Sequence, residues 1–258
     1  MADTDVTSRT QYGHEDLLAG IEGIRRGSKR GARRALLAIA ATAATLTLVP
    51  AFASAATITP DVLTDNFTND TDCSLREAIS IANADSPFRE PDCAITDLPL
   101  GDDVVRLPAG TYQLSLAGFD LNNASGDLNP DTTTGGALTI EGAGANAGAT
   151  TIAGVAPERV IGWFFGADSL TVRNLTITGG APTGASTGGA ILAQSTGELV
   201  IESARVTGNS TGNGSGAGIR ADVTVASLEI RDSVVSENTS AGGGVGISSS
   251  APLTIESS

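Results

Sequence analysis

The residues that could do chemistry are few. Cys73 and Cys93 are the only cysteines, His14 is the only histidine and Lys29 the only lysine. Both of the last two lie near the N-terminus, inside a segment that reads as an export leader. Arg25, Arg26, Lys29, Arg30, Arg33 and Arg34 form its basic region, and an apolar run follows from Ala35 to Ala53. Ala53-Ser54-Ala55 supplies the small-x-small pattern of a peptidase site, so cleavage is expected between Ala55 and Ala56. The alternative is an uncleaved anchor, because the apolar run is about long enough to span a bilayer.

With the leader removed, the available chemistry narrows. Of the 15 basic and 29 acidic residues, seven and five lie in residues 1–55, leaving eight arginines, 24 acids and a net charge of −16. A chain without His or Lys has no Ser-His-Asp triad, no histidine-ligated metal and no Schiff-base lysine. No cofactor or metal is expected. An acidic surface without lysine repels phosphate backbones, so no nucleic-acid partner is expected. A membrane is a partner only if the leader stays uncleaved. In an exported chain the isolated pair Cys73 and Cys93 is expected to form a disulfide. Two free thiols are the alternative reading, and a metal site built from two cysteines alone is a weaker one.

These residues need elements to hold them. Ser74 followed by Glu77 is a capping-box pattern, and Leu75, Ala78, Ile79 and Ala82 recur at helical spacing. A short amphipathic helix is therefore expected from Leu75 to about Asn83. Asp103–Leu107 and Thr111–Leu114 read as strands around the turn Pro108-Ala109-Gly110. Beyond residue 135 the chain is rich in Gly, Thr, Ser and Asn, yet it repeats. Leu170-Thr171-Val172-Arg173, Leu199-Val200-Ile201-Glu202 and Leu228-Glu229-Ile230-Arg231 each begin 29 residues after the last. Ile177, Val206 and Val235 follow at the same offset, and Ile191, Ile219 and Ile247 mark a third strand. Outer copies of the first strand begin at Leu138 and Leu253.

Each repeat thus holds three short strands that cannot bury their apolar residues alone. Stacking coil on coil does so, and the expected fold is an all-β, right-handed parallel β-helix. The expected organisation is a leader at 1–55, an N-terminal cap region at 56–115 and coils at 116–258. Outward residues Glu141, Arg173, Glu202, Arg231 and Glu256 would alternate in sign along the stack, which selects register. Asn209 and Asn238 occupy one turn position in successive repeats and are expected to form an amide ladder, with Asn tolerating left-handed backbone. The helix would cap the first coil. No cap is visible at the C-terminal end, so a longer protein or end-to-end association there is expected.

Cys73-Ser74-Leu75-Arg76-Glu77-Ala78-Ile79, with Ala82-Asn83, Cys93, Leu107-Pro108-Ala109-Gly110-Thr111-Tyr112 and Leu138-Thr139-Ile140-Glu141-Gly142-Ala143-Gly144, resembles the CSLREA-domain proteins. The repeats are similar, more loosely, to polymorphic outer-membrane-protein repeats and the pectin-lyase-like superfamily. The resemblance implies a bacterial, exported β-helix, commonly part of a larger surface protein, with no assigned catalytic residues.

The expected function is a non-enzymatic surface or extracellular module for adhesion or envelope interaction, with a polysaccharide or protein as ligand. The alternative is a polysaccharide lyase or glycoside hydrolase. Such lyases pair an arginine base with calcium-binding acids, and hydrolases use two carboxylates. Trp163-Phe164-Phe165 is read as core or a buried coil corner, with a sugar platform as the alternative. Gly242–Gly246 lacks the aspartate of a calcium-binding nonapeptide.

Overall fold

A computed structural model describes residues 55–85, 93–96, 101–134, 136–183 and 187–258. The leader up to Ser54 lies outside the described residues.

Short β-branched and leucine-rich runs, several of them closed by Gly, Asn, Ser or Asp, make strands of two to five residues. Three sheets assemble from them. The longest orders Ala94–Thr96, Thr57–Thr59, Asp103–Leu107, Leu138–Gly142, Leu170–Arg173, Glu198–Glu202, Ser227–Arg231 and Leu253–Glu256 side by side. The second stacks Gly110–Gln113, Thr150–Ala153, Thr176–Thr178, Arg205–Thr207 and Val234–Ser236. The third stacks Ile161–Trp163, Ile191–Ala193, Ile219–Ala221 and Ile247–Ser249. Sequence neighbours fall in different sheets, while residues one repeat apart pair in parallel. This is the expected parallel β-helix with three strands per coil. The one antiparallel pairing among these three sheets, Thr57–Thr59 against Ala94–Thr96, closes the N-terminal edge.

Register follows the repeat. Leu138, Leu170, Leu199, Leu228 and Leu253 form one inward row, and Ile140, Val172, Ile201, Ile230 and Ile255 another. The less regular spacing to the outer copies does not disturb either row. Tyr112, Ile152, Ile177, Val206 and Val235 stack in the second sheet. Ile161, Ile191, Ile219 and Ile247 stack in the third. Most of these side chains are fully buried, each contributing about 1.5–3 kcal/mol of apolar transfer. The last coil differs: Leu253 is 44 % and Ile255 51 % exposed.

The turns hold the stack by backbone geometry. Asn174, Ser203 and Asp232 all take left-handed φ (57°, 49° and 49°) at one corner. Each donates its N–H to the carbonyl of Glu202, Arg231 or Glu256 in the next coil. At the other corner Asn209 and Asn238 form the expected ladder, Asn209 Nδ2 donating to Asn238 Oδ1 at 3.0 Å. Gly180 N–H donates to Asn209 Oδ1, and Asn238 Nδ2 donates to the Val206 carbonyl. The left-handed residue there is not the asparagine. Gly208 (φ 67°) and Glu237 (φ 55°) take that strain one position earlier, which turns the amides inward.

Candidate functional site

The residues singled out around Cys73 converge on the N-terminal end of the solenoid. The helix runs from Leu75 to Ala84. Ser74 is its N-cap and accepts from the Glu77 N–H, while Glu77 Oε2 accepts from the Ser74 N–H at 2.7 Å, completing the box. Glu77 Oε1 also accepts from Thr68 N–H. Leu75, Ala78, Ile79 and Ala82 are buried in the core. Cys73 and Cys93 are joined, with Cα atoms 4.8 Å apart, so the disulfide ties the helix start to the edge strand Ala94–Thr96. Ala55 is exposed, whereas Ala56 is fully buried and its carbonyl accepts from Val104 N–H.

Two polar residues of the quoted motif, Arg76 and Asn83, to which the sequence assigned no role, complete the cap. Arg76 is fully buried and ion-paired with Asp65, whose side chain is 2 % exposed. Its guanidinium also donates to the carbonyls of Gly126 and Asp127. Asp65 in turn accepts from Ser115 and Leu116 N–H. Asn83 donates to the Asn129 carbonyl and accepts from Asp131 N–H, both at 2.8 Å. The signal for Arg76 lay in the motif itself: a cation inside an apolar helical face must find anions or carbonyls. Asn123, buried with φ 65°, adds a third from outside that motif. It donates to the Arg76 carbonyl and Ser80 Oγ, and accepts from Asn129 N–H.

A second buried charge pair sits at the next corner. Asp127 Oδ2 lies 3.2 Å from Arg159 Nε, and Arg159 stacks 5.8 Å from the Phe164 ring centre. Burial pushes the Asp127 carboxyl up to about 6 against the pull of Arg159, and burial lowers the Arg159 pKa. Gly162 leaves the space in which the carboxylate and the Phe164 ring meet; a Cβ there would overlap both. Trp163 is fully buried in the core and Phe165 is 43 % exposed. The aromatic run is therefore split between interior and surface and does not present one three-ring platform.

Asp103 stands at the foot of the inward leucine row, in register with Leu138. It is 2 % exposed and its Oδ2 has no hydrogen-bond partner. Burial pushes its pKa up to about 7, opposed by the Gly101 N–H and reinforced by Asp85 and Asp102.

The outward face of the long sheet carries the expected alternation, and the structure adds a rung to it. Arg106, Glu141, Arg173, Glu202, Arg231 and Glu256 stand in one row. Glu141 lies 3.5 Å from both Arg106 and Arg173, whereas Arg231 turns to Glu229 on its own strand at 3.0 Å. Direct ion pairing is thus concentrated at one end of the row. Beside it runs a second row of Val104, Thr139, Thr171, Val200, Glu229 and Thr254. Among the described residues no three acidic or cysteine side chains converge to hold a metal ion, and no helix is long and apolar enough to cross a membrane.

No family model matches this chain, and no curated protein or solved structure matches it.

Proposed function

We propose that the chain is an exported, non-enzymatic β-helix module that works at the cell surface by presenting its long sheet to a partner. The observation that carries the reading is that face: two rows of side chains, one of alternating charge and one of Val and Thr interrupted by Glu229, held in register over six strands. Solenoids use extended faces of this kind as binding surfaces. The two ion pairs at this end are engaged in structure, Arg76 with Asp65 tying the cap helix to the following loop and Arg159 with Asp127 joining successive coils, which supports a scaffolding role for them. The basic and apolar leader supports export, as does the disulfide. The resemblance to CSLREA-domain proteins points the same way and to a bacterial source.

The test is made on the cells that produce the chain. Antibody should label intact cells, the recovered protein should begin at Ala56, and beads coated with it should adhere to a polysaccharide or protein surface. Retention inside the cell with Arg33 still present would overturn the reading. Incubation with neutral and acidic polysaccharides, with and without calcium, should release no product. Turnover abolished by Asp127→Asn or Arg159→Gln would establish the lyase or hydrolase alternative instead.

A further inference from the structure

Loop 118–126 lies against the cap helix and is tightly built. Asp120 accepts from the N–H groups of Asn122 and Ala124 and from Ser125 Oγ. Gly126 N–H donates to the Leu116 carbonyl, and Asn123 is locked to the helix as described. A loop so braced has its outward side chains set by its backbone, and two of these are large and apolar. Phe119 is 75 % and Leu121 46 % exposed. Exposed apolar groups on a rigid loop, next to a cavity, are the usual mark of a binding surface.

A cavity is there. Between this loop, the last turn of the helix and the strand Asp131–Thr132 lies a cleft of about 430 Å³ lined by Ser80, Asn83, Leu121, Asn122, Asp131 and Thr134. That volume is in the range of small-ligand sites. Asn83 is committed to holding the walls together. The Asn122 side-chain amide makes no hydrogen bond among the described residues, and Asp131 uses one carboxylate oxygen, Oδ1, on Thr133 N–H. Along the small parallel ladder Asp131 stands beside Phe165, which is 43 % exposed.

We infer that this cleft binds a neutral saccharide, the apolar side of a sugar ring resting on Leu121 and its hydroxyls reaching Asn122, Asp131 and Ser80. The inference rests on the reading of the chain as an interaction module and gives it a second site, at the cap and apart from the long sheet. The lining supplies an amide, a carboxylate and hydroxyls, which together can donate to and accept from vicinal hydroxyl groups. Among the described residues none that lines the cleft is basic, Asp131 is anionic, and the C-terminal end of the helix adds negative potential. A uronate, sulfate or phosphate is therefore disfavoured. The one lining carboxylate among the described residues is too few for a calcium site, which takes six to eight oxygen ligands.

The full chain is titrated calorimetrically with xylo-, cello-, manno- and N-acetylchito-hexaose, with polygalacturonate as the acidic control. At least one neutral oligosaccharide should saturate. Asn122→Ala and Leu121→Ser should each weaken binding by about tenfold or more, near 1.4 kcal/mol. Both variants should melt with the parent, since neither side chain is part of the packed core. Arg220→Ala, on the third sheet, should bind as the parent does. Failure of all four neutral sugars to saturate, preference for polygalacturonate, or binding unchanged by Asn122→Ala would overturn the site. None of those results touches surface display, which the cell-labelling experiment reads separately.

Discussion

Arg76 shows how a single residue joins two parts of the chain. It extends from the cap helix, pairs with Asp65 from the preceding segment, and donates to carbonyls of the loop beyond the strand Gly110–Gln113. Taking two charges out of water is costly, so the pair contributes through its geometry and its satisfied donors. Removing one partner leaves the other stranded. Arg76→Leu should cost about 3–5 kcal/mol in urea unfolding, and Arg76→Lys should recover only part, because it lacks the planar fork. Asp103 is the opposite case, a carboxyl facing the core with one oxygen unpartnered. Its folded pKa of about 7 lies above the ordinary 3.8. The folded chain therefore binds the proton more tightly than the unfolded chain does. Stability should fall as pH rises from about 4 through 7 and level off above that. Asp103→Asn should melt higher than the parent at pH 8, by roughly 2–4 kcal/mol. The gap should close towards pH 4. A gap of equal size at both ends would show that titration of this group is not the cause.

At the scale of elements, the cap helix is the one helix among the described residues and has no counterpart in the coils. It is ten residues long, too short to persist without packing. Three devices hold it: the capping box, the apolar face and the disulfide. Ser74→Ala should cost about 1 kcal/mol through loss of the box. Cys93→Ser should cost about 3 kcal/mol, the entropy of freeing a loop closed over 20 residues. In hydrogen exchange the Leu75–Ala84 amides should open ahead of the coils in Cys93→Ser and with them in the parent. The helix face, the capping box and the strand repeat were legible because each is a pattern in consecutive residues. Asn123 and the braced loop around it were not. Their meaning depends on contacts with Arg76 and Ser80, more than 40 residues away.

At the scale of the whole molecule, stability in a solenoid is close to a sum of coils and nearest-neighbour interfaces. Both flanks of the interior coils are covered, and their inward side chains are buried. The strand Leu253–Glu256 leaves Leu253 and Ile255 half exposed, beside a groove of about 300 Å³ that includes Val234, Val235 and Ile247. An apolar unpaired edge templates association. Residues 56–258 expressed alone should sediment as concentration-dependent oligomers, and Ile255→Lys should shift them towards monomer. Oligomers that persist unchanged in that variant would place the contact elsewhere. The charge row acts on the same scale. Glu202→Arg would set three arginines in succession and should cost about 0.5–1 kcal/mol, less at high salt.

The 29-residue repeat, with its alternation of inward apolar and outward charged positions, by itself determined the coil, its register and the residues of its core. The reason is that strand pairing between identical repeats turns sequence periodicity directly into spatial contact. The motif around Cys73 likewise determined a capped helix, since box and apolar face are both local. Only the tertiary structure decided that Arg76 is buried against Asp65, that Arg106 joins the charge row, and that the left-handed corner falls before Asn209 and Asn238 rather than on them. It also decided that Trp163 is core while Phe165 faces outward, and that a cleft opens beside Asn122. These outcomes depend on which distant segments the fold brings together and on backbone geometry at the turns, neither of which the repeat spells out.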